Sequence, residues 1–479
     1  MTVSSDKVRN LAKDTGLFAI SSFGSKILLF LLTPLYTGIL STAQYGIADL
    51  LSTTVLFAYP LLTLSVSEAA LRFAMEKNTS ARAVFDITML FTALSFVLVF
   101  ILKPFAVMID VSLDEYWLYF WLIFCLNNIH TAFSNFIKGK GHTQLFAVSG
   151  IVQTVSVIIA DILFLVVFDL GIKGYLWGII AGYAVSVSVM FFGGRLYSLF
   201  FPFSIDKALM KDMLRYCIPV IPTTIAWAVN TGIDKYMIIG MVGMSDNGVY
   251  SIAHKIPGIL TAVMGIFISA WQLSAISNHG EEDESRFQTD IYRVFSLTGL
   301  LGCFLLITVN RPLSYILFAK EFHTAWMYVP FLIVSAYFAS LSGFLASAFR
   351  ASKQTGGLFV SVMSGAVLNV ILNLVLISAA GTIGAAAATA LSFFTVWLIR
   401  MITVQKILPI KTDKIRTAVS YTLFFAAAAL SCFDQWYSIC VSMVLMAAVC
   451  IIERRDIKYI LNGMIRIIFK PDKSRTVSK

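Results

Sequence analysis

The sequence predicts an all-α, polytopic membrane protein of about fourteen spans: two parallel six-helix repeats plus two C-terminal helices. Three observations carry this. Of 479 residues, 58% are hydrophobic and only 13% charged, whereas an average soluble domain carries about 25% charged residues. Apolar runs of about 20 residues recur along the chain, each long enough to cross a hydrocarbon core of ~30 Å as a helix. Short matches also repeat at a near-constant offset of about 205–212 residues. A β-barrel is excluded, because its strands alternate apolar and polar over about ten residues and these runs do not.

The runs fall at roughly 15–39, 47–70, 84–109, 116–137, 144–168, 174–200, 215–243, 249–277, 292–319, 326–349, 357–379, 382–404, 417–433 and 435–452. Leu40-Ser41 and Tyr45-Gly46-Ile47-Ala48 match Met244-Ser245 and Tyr250-Ser251-Ile252-Ala253. Further on, Lys138 and Thr143 match Arg350 and Thr355, Asp161 falls opposite Asn373, and Gly174 opposite Gly384. The matches divide the chain into a six-helix half over 1–200 and a second over 201–404. Six is even, so both copies share one orientation, related by an axis along the membrane normal. Two additional helices over 405–452 and a basic tail over 453–479 follow.

The net charge of +10 invites a nucleic-acid reading, but its distribution follows the positive-inside rule. With the N-terminus inside, only Lys103, Lys173, Arg311 and Lys320 of the 36 Lys and Arg fall in outer segments, and Lys26, Lys235 and Lys255 fall within spans. Both termini are expected in the cytoplasm. Lys7, Arg9 and Lys13 precede a 25-residue apolar run with no short cleavable h-region, which reads as an uncleaved first span. In the tail, Ile457, Ile460, Leu461, Met464, Ile465 and Ile468 recur at helical spacing beside Arg466 and Lys470, the pattern of an interfacial helix on anionic lipid.

The segment Cys217 to Ile239 is the oddest span. It carries Pro219, Pro222, Asn230 and the adjacent pair Asp234-Lys235. A charge at the centre of a span costs roughly 2.5–3.5 kcal/mol on insertion scales and is usually retained for a task. Prolines at the entrance remove backbone donors and favour a kink. Such a helix fits a cavity wall better than a lipid-facing surface.

Several chemistries are missing from the sequence. No GxxxxGK[ST] loop appears, and Gly139-Lys140-Gly141 lacks its spacing. The histidines His130, His142, His254, His279 and His323 form no HExxH set, and the six cysteines form no CxxC pair. No metal, cofactor or disulfide framework is expected. The outer loops are too short for the catalytic carboxylates of a membrane glycosyltransferase. With neither motor nor enzymatic domain, the chain reads as a secondary transporter.

Certain residues resemble a known family. Tyr45-Gly46 and Glu68-Ala69-Ala70-Leu71-Arg72-Phe73 are similar to bacterial polysaccharide flippases (Wzx-like, the polysaccharide-transport branch of the MATE-related MOP superfamily). The stronger likeness is in the second half: Ile218-Pro219-Val220-Ile221-Pro222, Asp234-Lys235-Tyr236-Met237-Ile238, and the run from Gly248 to Pro257. Lys235 stands where many members carry Arg, keeping the charge but losing the planar fork. The resemblance implies alternating-access movement of undecaprenyl-pyrophosphate-linked oligosaccharide to the outer leaflet of the bacterial plasma membrane, for cell-surface polysaccharide biosynthesis. It implies membrane lipids and the polysaccharide assembly machinery as partners and does not identify the glycan. The runner-up is a MATE-like cation-coupled drug antiporter, whose cationic substrates a lysine-lined cavity would repel.

The candidate substrate contacts are Lys26, Asn230, Asp234, Lys235 and Lys255. Lys26 is near mid-span and would attract a lipid pyrophosphate; the ordinary alternative is a snorkelling or internally paired lysine. The repeat sets Asn230 opposite it. Asp234 and Lys235 project about 100° apart on a helix, so each can serve a different neighbour, in a structural ion pair or on substrate. Asp49, Glu68, Arg72 and Asp161 are candidates for coupling or gating, since a cation-coupled exporter needs a carboxylate that changes charge; Glu68 and Arg72, four apart, are equally a helix-surface pair. Asn127, Asn128, His130 and Asn135 read as interhelical hydrogen bonding rather than glycan contact, and Gly178 with Gly182 as close helix packing.

Overall fold

The computed structural model describes residues 24–76, 78–109, 113–200, 205–277, 284–352, 356–410, 412–433 and 438–458. The expected interfacial helix in the tail lies almost wholly outside them. The described residues are helical, with no strand among them. Among the described residues nine helices are long and apolar enough to cross a membrane, and Gly24–Ile39 and Ile439–Ile452 are shorter apolar helices.

The first half comprises α1 (Gly24–Ile39), α2 (Thr42–Leu62), α3 (Val66–Phe73), α4 (Ala81–Ile109), α5 (Leu113–Gly139), α6 (Thr143–Asp161) and α7 (Gly171–Gly193). An amphipathic connector, α8 (Lys207–Cys217), leads to α9 (Val220–Met241), α10 (Met244–Ala253), α11 (Lys255–Ser277) and α12 (Glu284–Leu317). Then follow α13 (Val329–Ala351), α14 (Gly356–Ala380), α15 (Thr382–Val404), α16 (Lys414–Ser431) and α17 (Ser438–Ile452). Each of the fourteen apolar runs has a helical counterpart.

Local chemistry sets the element ends. Ser41 accepts from the Gln44 amide while the Gln44 side chain accepts from the Ser41 amide, a capping box that starts α2 five residues before the expected 47. Asp206 and Asp413 cap α8 and α16. The run 47–70 is not one span: Leu64 and Ser65 take left-handed backbone at φ 51° and 53° and turn the chain after Leu62. Glu68 and Arg72 therefore ride on the separate helix α3. The run 249–277 likewise divides at His254 into α10 and α11. Pro219 and Pro222 sit at the cap and first turn of α9, where a missing N–H costs little. The result is a break between α8 and α9 rather than a kink within one span. After Asp161 the chain widens into a π-helical turn over Ile162–Val167.

In lipid, apolar surface alone does not drive helix association; small residues and polar contacts do. Gly178 of α7 faces Asp161 so closely that a Cβ there would collide with the carboxylate, and Gly182 similarly admits Val157. Gly384 of α15 lies against the Leu376 carbonyl of α14. In the second half α13 is the central post, with 83% of its apolar window buried. α16 joins it through Ser296, Tyr337 and Tyr421, whose hydroxyls are mutually hydrogen-bonded. α8 packs beneath the first half, where Met213 and Cys217 enter the cluster formed by Val66, Phe85 and Phe133.

Two outcomes follow. Gly178→Ala should lower stability by about 1–3 kcal/mol, the usual cost of overpacking, whereas Gly258→Ala, where no atom lies within 4 Å of the added Cβ, should be neutral; melting in detergent distinguishes them. An impermeant thiol reagent should label Asp114→Cys in intact cells and Lys211→Cys only after permeabilisation. The reverse pattern would overturn the orientation read from charge.

Candidate functional site

The two halves meet along α2. Gly46 and Gly248 bring α2 and α10 to backbone contact: a Cβ on Gly46 would strike the Met244 carbonyl, and one on Gly248 the Thr42 carbonyl. Asn247 Nδ2 donates to the Gly46 carbonyl at 3.1 Å. Nearby, Thr37 Oγ1 donates to the Leu317 carbonyl and accepts from the Ala319 amide. Lys320 Nζ donates to the Gly38 carbonyl, and Thr42 to Glu321. Thr54 and Tyr236 hydroxyls lie 2.7 Å apart. These contacts cluster toward the end bearing Ser41 and Gly243, the outer end in the charge-based orientation.

At the centre of this seam, Lys235 Nζ sits 2.8 Å from Asp49 Oδ1 and also reaches Thr53 Oγ1 at 3.4 Å. The two charged side chains are 15% and 17% exposed, so the pair is largely desolvated and joins α9 of one half to α2 of the other. Removing one member of a fully buried pair costs about 3–5 kcal/mol, and this partly exposed pair falls below that. Gly232, one turn before Tyr236, lets α9 approach Thr53 and Phe57.

Asp234 turns the other way, into the second half, and is fully buried. Its Oδ2 accepts from Tyr250 of α10 at 2.5 Å and from Thr389 of α15 at 3.1 Å, and its Oδ1 accepts from the Lys235 amide at 3.0 Å. Three donors suit a buried carboxylate, which is costly unless hydrogen-bonded. The network continues through Asn369, which donates to Thr389, and Asn373, which donates to Asn369. His254 packs edge-on to Tyr250 at 4.9 Å.

The first half has a matching polar centre. Asp161 is buried and accepts from Tyr36 Oη at 2.6 Å. Tyr175 packs edge-on to Tyr36 at 5.0 Å and lies against Tyr45, with ring centroids 5.8 Å apart. Asp161 Oδ1 has no hydrogen bond among the described residues. Lys255, the first residue of α11, lies within electrostatic reach of Asp161 and so adds a second cross-half charge relation.

The other expected residues are placed as follows. Lys26 is exposed on α1. Asn230 is fully buried and donates to the Ala226 and Val362 carbonyls; its amide is directed into α14, not toward Lys26. Arg72 lies over the Tyr216 ring at 4.8 Å, and Glu68 accepts from Asn135 at 3.4 Å. Asn127 donates to Tyr183, and Asn135 to the Ser67 carbonyl, so both serve helix contacts. Among the described residues no group of three His, Cys, Asp or Glu could hold a metal ion. Sequence reasoning missed Tyr36, Tyr175, Tyr250, Thr389 and Asn369. The repeat did pair Tyr45 with Tyr250: Tyr250 donates to Asp234, and Tyr45 packs against Tyr175 beside the Asp161 centre.

The family model described as "Polysaccharide biosynthesis protein" matches residues 11–273. An uncharacterized membrane protein of Methanocaldococcus jannaschii is 27% identical over 200 residues, covering 41% of this chain and 46% of that protein. The chain thus spans about half the length of this curated relative. Among solved structures, the lipid II flippase MurJ in an inward closed conformation has a TM-score of 0.66 at 14% identity, over 92% of this chain and 99% of that one. An inward-facing multidrug resistance MATE transporter of the MOP superfamily has a TM-score of 0.61 at 13% identity, over 81% and 98%. With the helical architecture above, these matches make the chain a multi-pass membrane protein whose fold is like that of these two solved structures, belonging to the polysaccharide biosynthesis protein family.

Proposed function

We propose that this chain moves a polyprenyl-pyrophosphate-linked oligosaccharide from the cytoplasmic to the outer leaflet of a bacterial plasma membrane by alternating access. Family membership supports the polysaccharide context. The observation that carries the mechanism is the Lys235–Asp49 pair, which crosses between the halves inside a seam concentrated at one end. Opening that end requires this pair and the Gly46–Gly248 contact to separate. The chemistry is transport, with no bond made or broken.

In this reading the contacts divide the expected cations by task. Lys235 latches the closed outer end. Lys26, exposed on α1, and Lys255, at the start of α11, are the cations left to meet an anionic headgroup; neither forms an ion pair among the described residues. Asp161 is the candidate for coupling, because a carboxylate oxygen without a hydrogen bond can take up a proton, and its charge acts on Lys255. Asp234 and Asn230 hold the second half together. Glu68 and Arg72 remain candidates for the inner rim. The MATE-like fold keeps a cation-coupled antiporter as the second reading; it requires transport of cationic dyes that lipid-linked glycan does not inhibit.

Reversing either latch charge alone, Asp49→Lys or Lys235→Asp, should cut glycan export at least about tenfold, the equivalent of ~1.4 kcal/mol. The double swap should restore most of it. Equal loss in the singles and the swap would contradict a latch. Lys26→Gln with Lys255→Gln should abolish export without lowering the amount of protein in the membrane, measured by surface glycan and immunoblot. Normal surface glycan in that variant would refute a headgroup role.

A further inference from the structure

Away from the seam, a cavity of about 1400 Å³ opens between α12, α15 and α16. Its walls are Leu297 and Leu300 of α12, Phe394, Leu398 and Met401 of α15, and Phe425 of α16. It extends from Leu391 of α15 to Gln405 at that helix's C-cap, roughly 21 Å at 1.5 Å per residue. Half of a ~30 Å hydrocarbon core is ~15 Å, so the groove is one leaflet deep with a headgroup's length to spare. A space this large would hold several tens of waters at about 30 Å³ each, yet most of its exposed lining is apolar, with Ser296 and Tyr421 among the polar exceptions. Such a lining suits hydrocarbon better than water.

The mouth is different. Arg293, Asp413, Lys414, Arg416, Arg455 and Asp456 gather there. Arg293 and Arg416 both approach Asp456, at 3.6 and 3.8 Å, and Arg416 approaches Asp413 at 3.4 Å. Arg293 also approaches Asp290, just outside the cavity, at 3.7 Å. All four separations exceed the 2.7–3.2 Å of a direct N–H···O bond, so these ion pairs are loose. Lys414 and Arg455 are exposed and form no ion pair among the described residues. The third carboxylate, Glu453, is buried and accepts from Ser420 at 2.8 Å; burial pushes its carboxyl up toward the neutral form, against the Ser420 hydrogen bond that lowers it. The mouth is therefore cationic on balance.

We propose that this groove binds one anionic glycerophospholipid of the bilayer, with its phosphate between Arg293 and Arg416 and its acyl chains along α15. Arginine forks suit phosphate oxygens, and basic recesses between spans on the cytoplasmic side favour anionic headgroups. Groove depth selects the occupant: leaflet-length chains fit, whereas a long polyprenyl chain overruns it. α15 and α16 meet through Trp397 against Tyr421 at 5.1 Å and Phe394 against Phe425 at 5.6 Å; the lipid covers the groove beside these rings and adds to the hold on the last two helices. The site does not depend on the transport reading.

The test is native mass spectrometry of the full chain, purified and incubated with phosphatidylglycerol or phosphatidylcholine. The wild type should retain one phosphatidylglycerol with about tenfold preference. Arg293→Gln/Arg416→Gln should lose that preference while Arg293→Lys/Arg416→Lys keeps part of it, with each variant checked for a monodisperse elution profile. Ala418→Trp, which fills the groove, should exclude lipid of either type. Equal retention of phosphatidylcholine by the wild type, retention unaffected by the Gln pair, or recovery of polyprenyl phosphate in place of a phospholipid would overturn the proposal.

Discussion

A charge inside an apolar bundle must find a partner, and this structure is arranged around how it does so. Lys235 and Asp234 are neighbours in sequence but serve opposite sides of one helix. Lys235 reaches across to Asp49 of the other half. Asp234 gathers Tyr250 and Thr389 within its own half. One pair of residues thus sets both the internal bracing of the second half and its attachment to the first. The first is a single ion pair with partial solvent access, which suits the reversible latch proposed for it. The second is a buried, multiply bonded carboxylate that has no reason to move.

Glycine makes this possible. Backbone contact at Gly46 and Gly248 brings α2 and α10 within reach of each other, and Gly232 does the same for α9. Larger residues there would hold the helices apart, and Lys235 would have to bridge the extra distance. Within each half, Gly178 and Gly384 play the same part for α6–α7 and α14–α15. Within each half, close glycine packing lies beside a buried carboxylate, Asp161 or Asp234. Between the halves, glycine contact lies beside one ion pair and a row of hydroxyl and carbonyl bonds. Rocking of one half against the other, as proposed, would break the second set and keep the first.

Much of the fold was legible in the sequence because bilayer thickness imposes a fixed apolar run length, and fourteen such runs stand out. The breaks were not legible. The turn at Leu64 and Ser65, the division at His254 and the π-helical turn after Asp161 all fall inside apolar runs, where hydropathy is blind to backbone conformation. The site was legible as an anomaly: charged residues in a span announce themselves. Their partners were not, since Asp49 is 186 positions from Lys235 and Thr389 is 155 from Asp234. Asn230 shows the limit of the repeat. It sits at the position paired with Lys26, yet its amide serves Val362 of α14, because a repeat transfers position and not contact.

The central claim is that the protein carries a lipid-linked glycan across the bilayer. The most direct measurement places purified protein in vesicles holding labelled polyprenyl-pyrophosphate oligosaccharide and follows its exposure to an impermeant glycan-cleaving enzyme. The account predicts that lipid protected in protein-free vesicles becomes accessible when wild-type protein is present, and stays protected with Lys26→Gln/Lys255→Gln. Unchanged protection with wild-type protein, in vesicles where the same preparation moves a cationic dye, would contradict it.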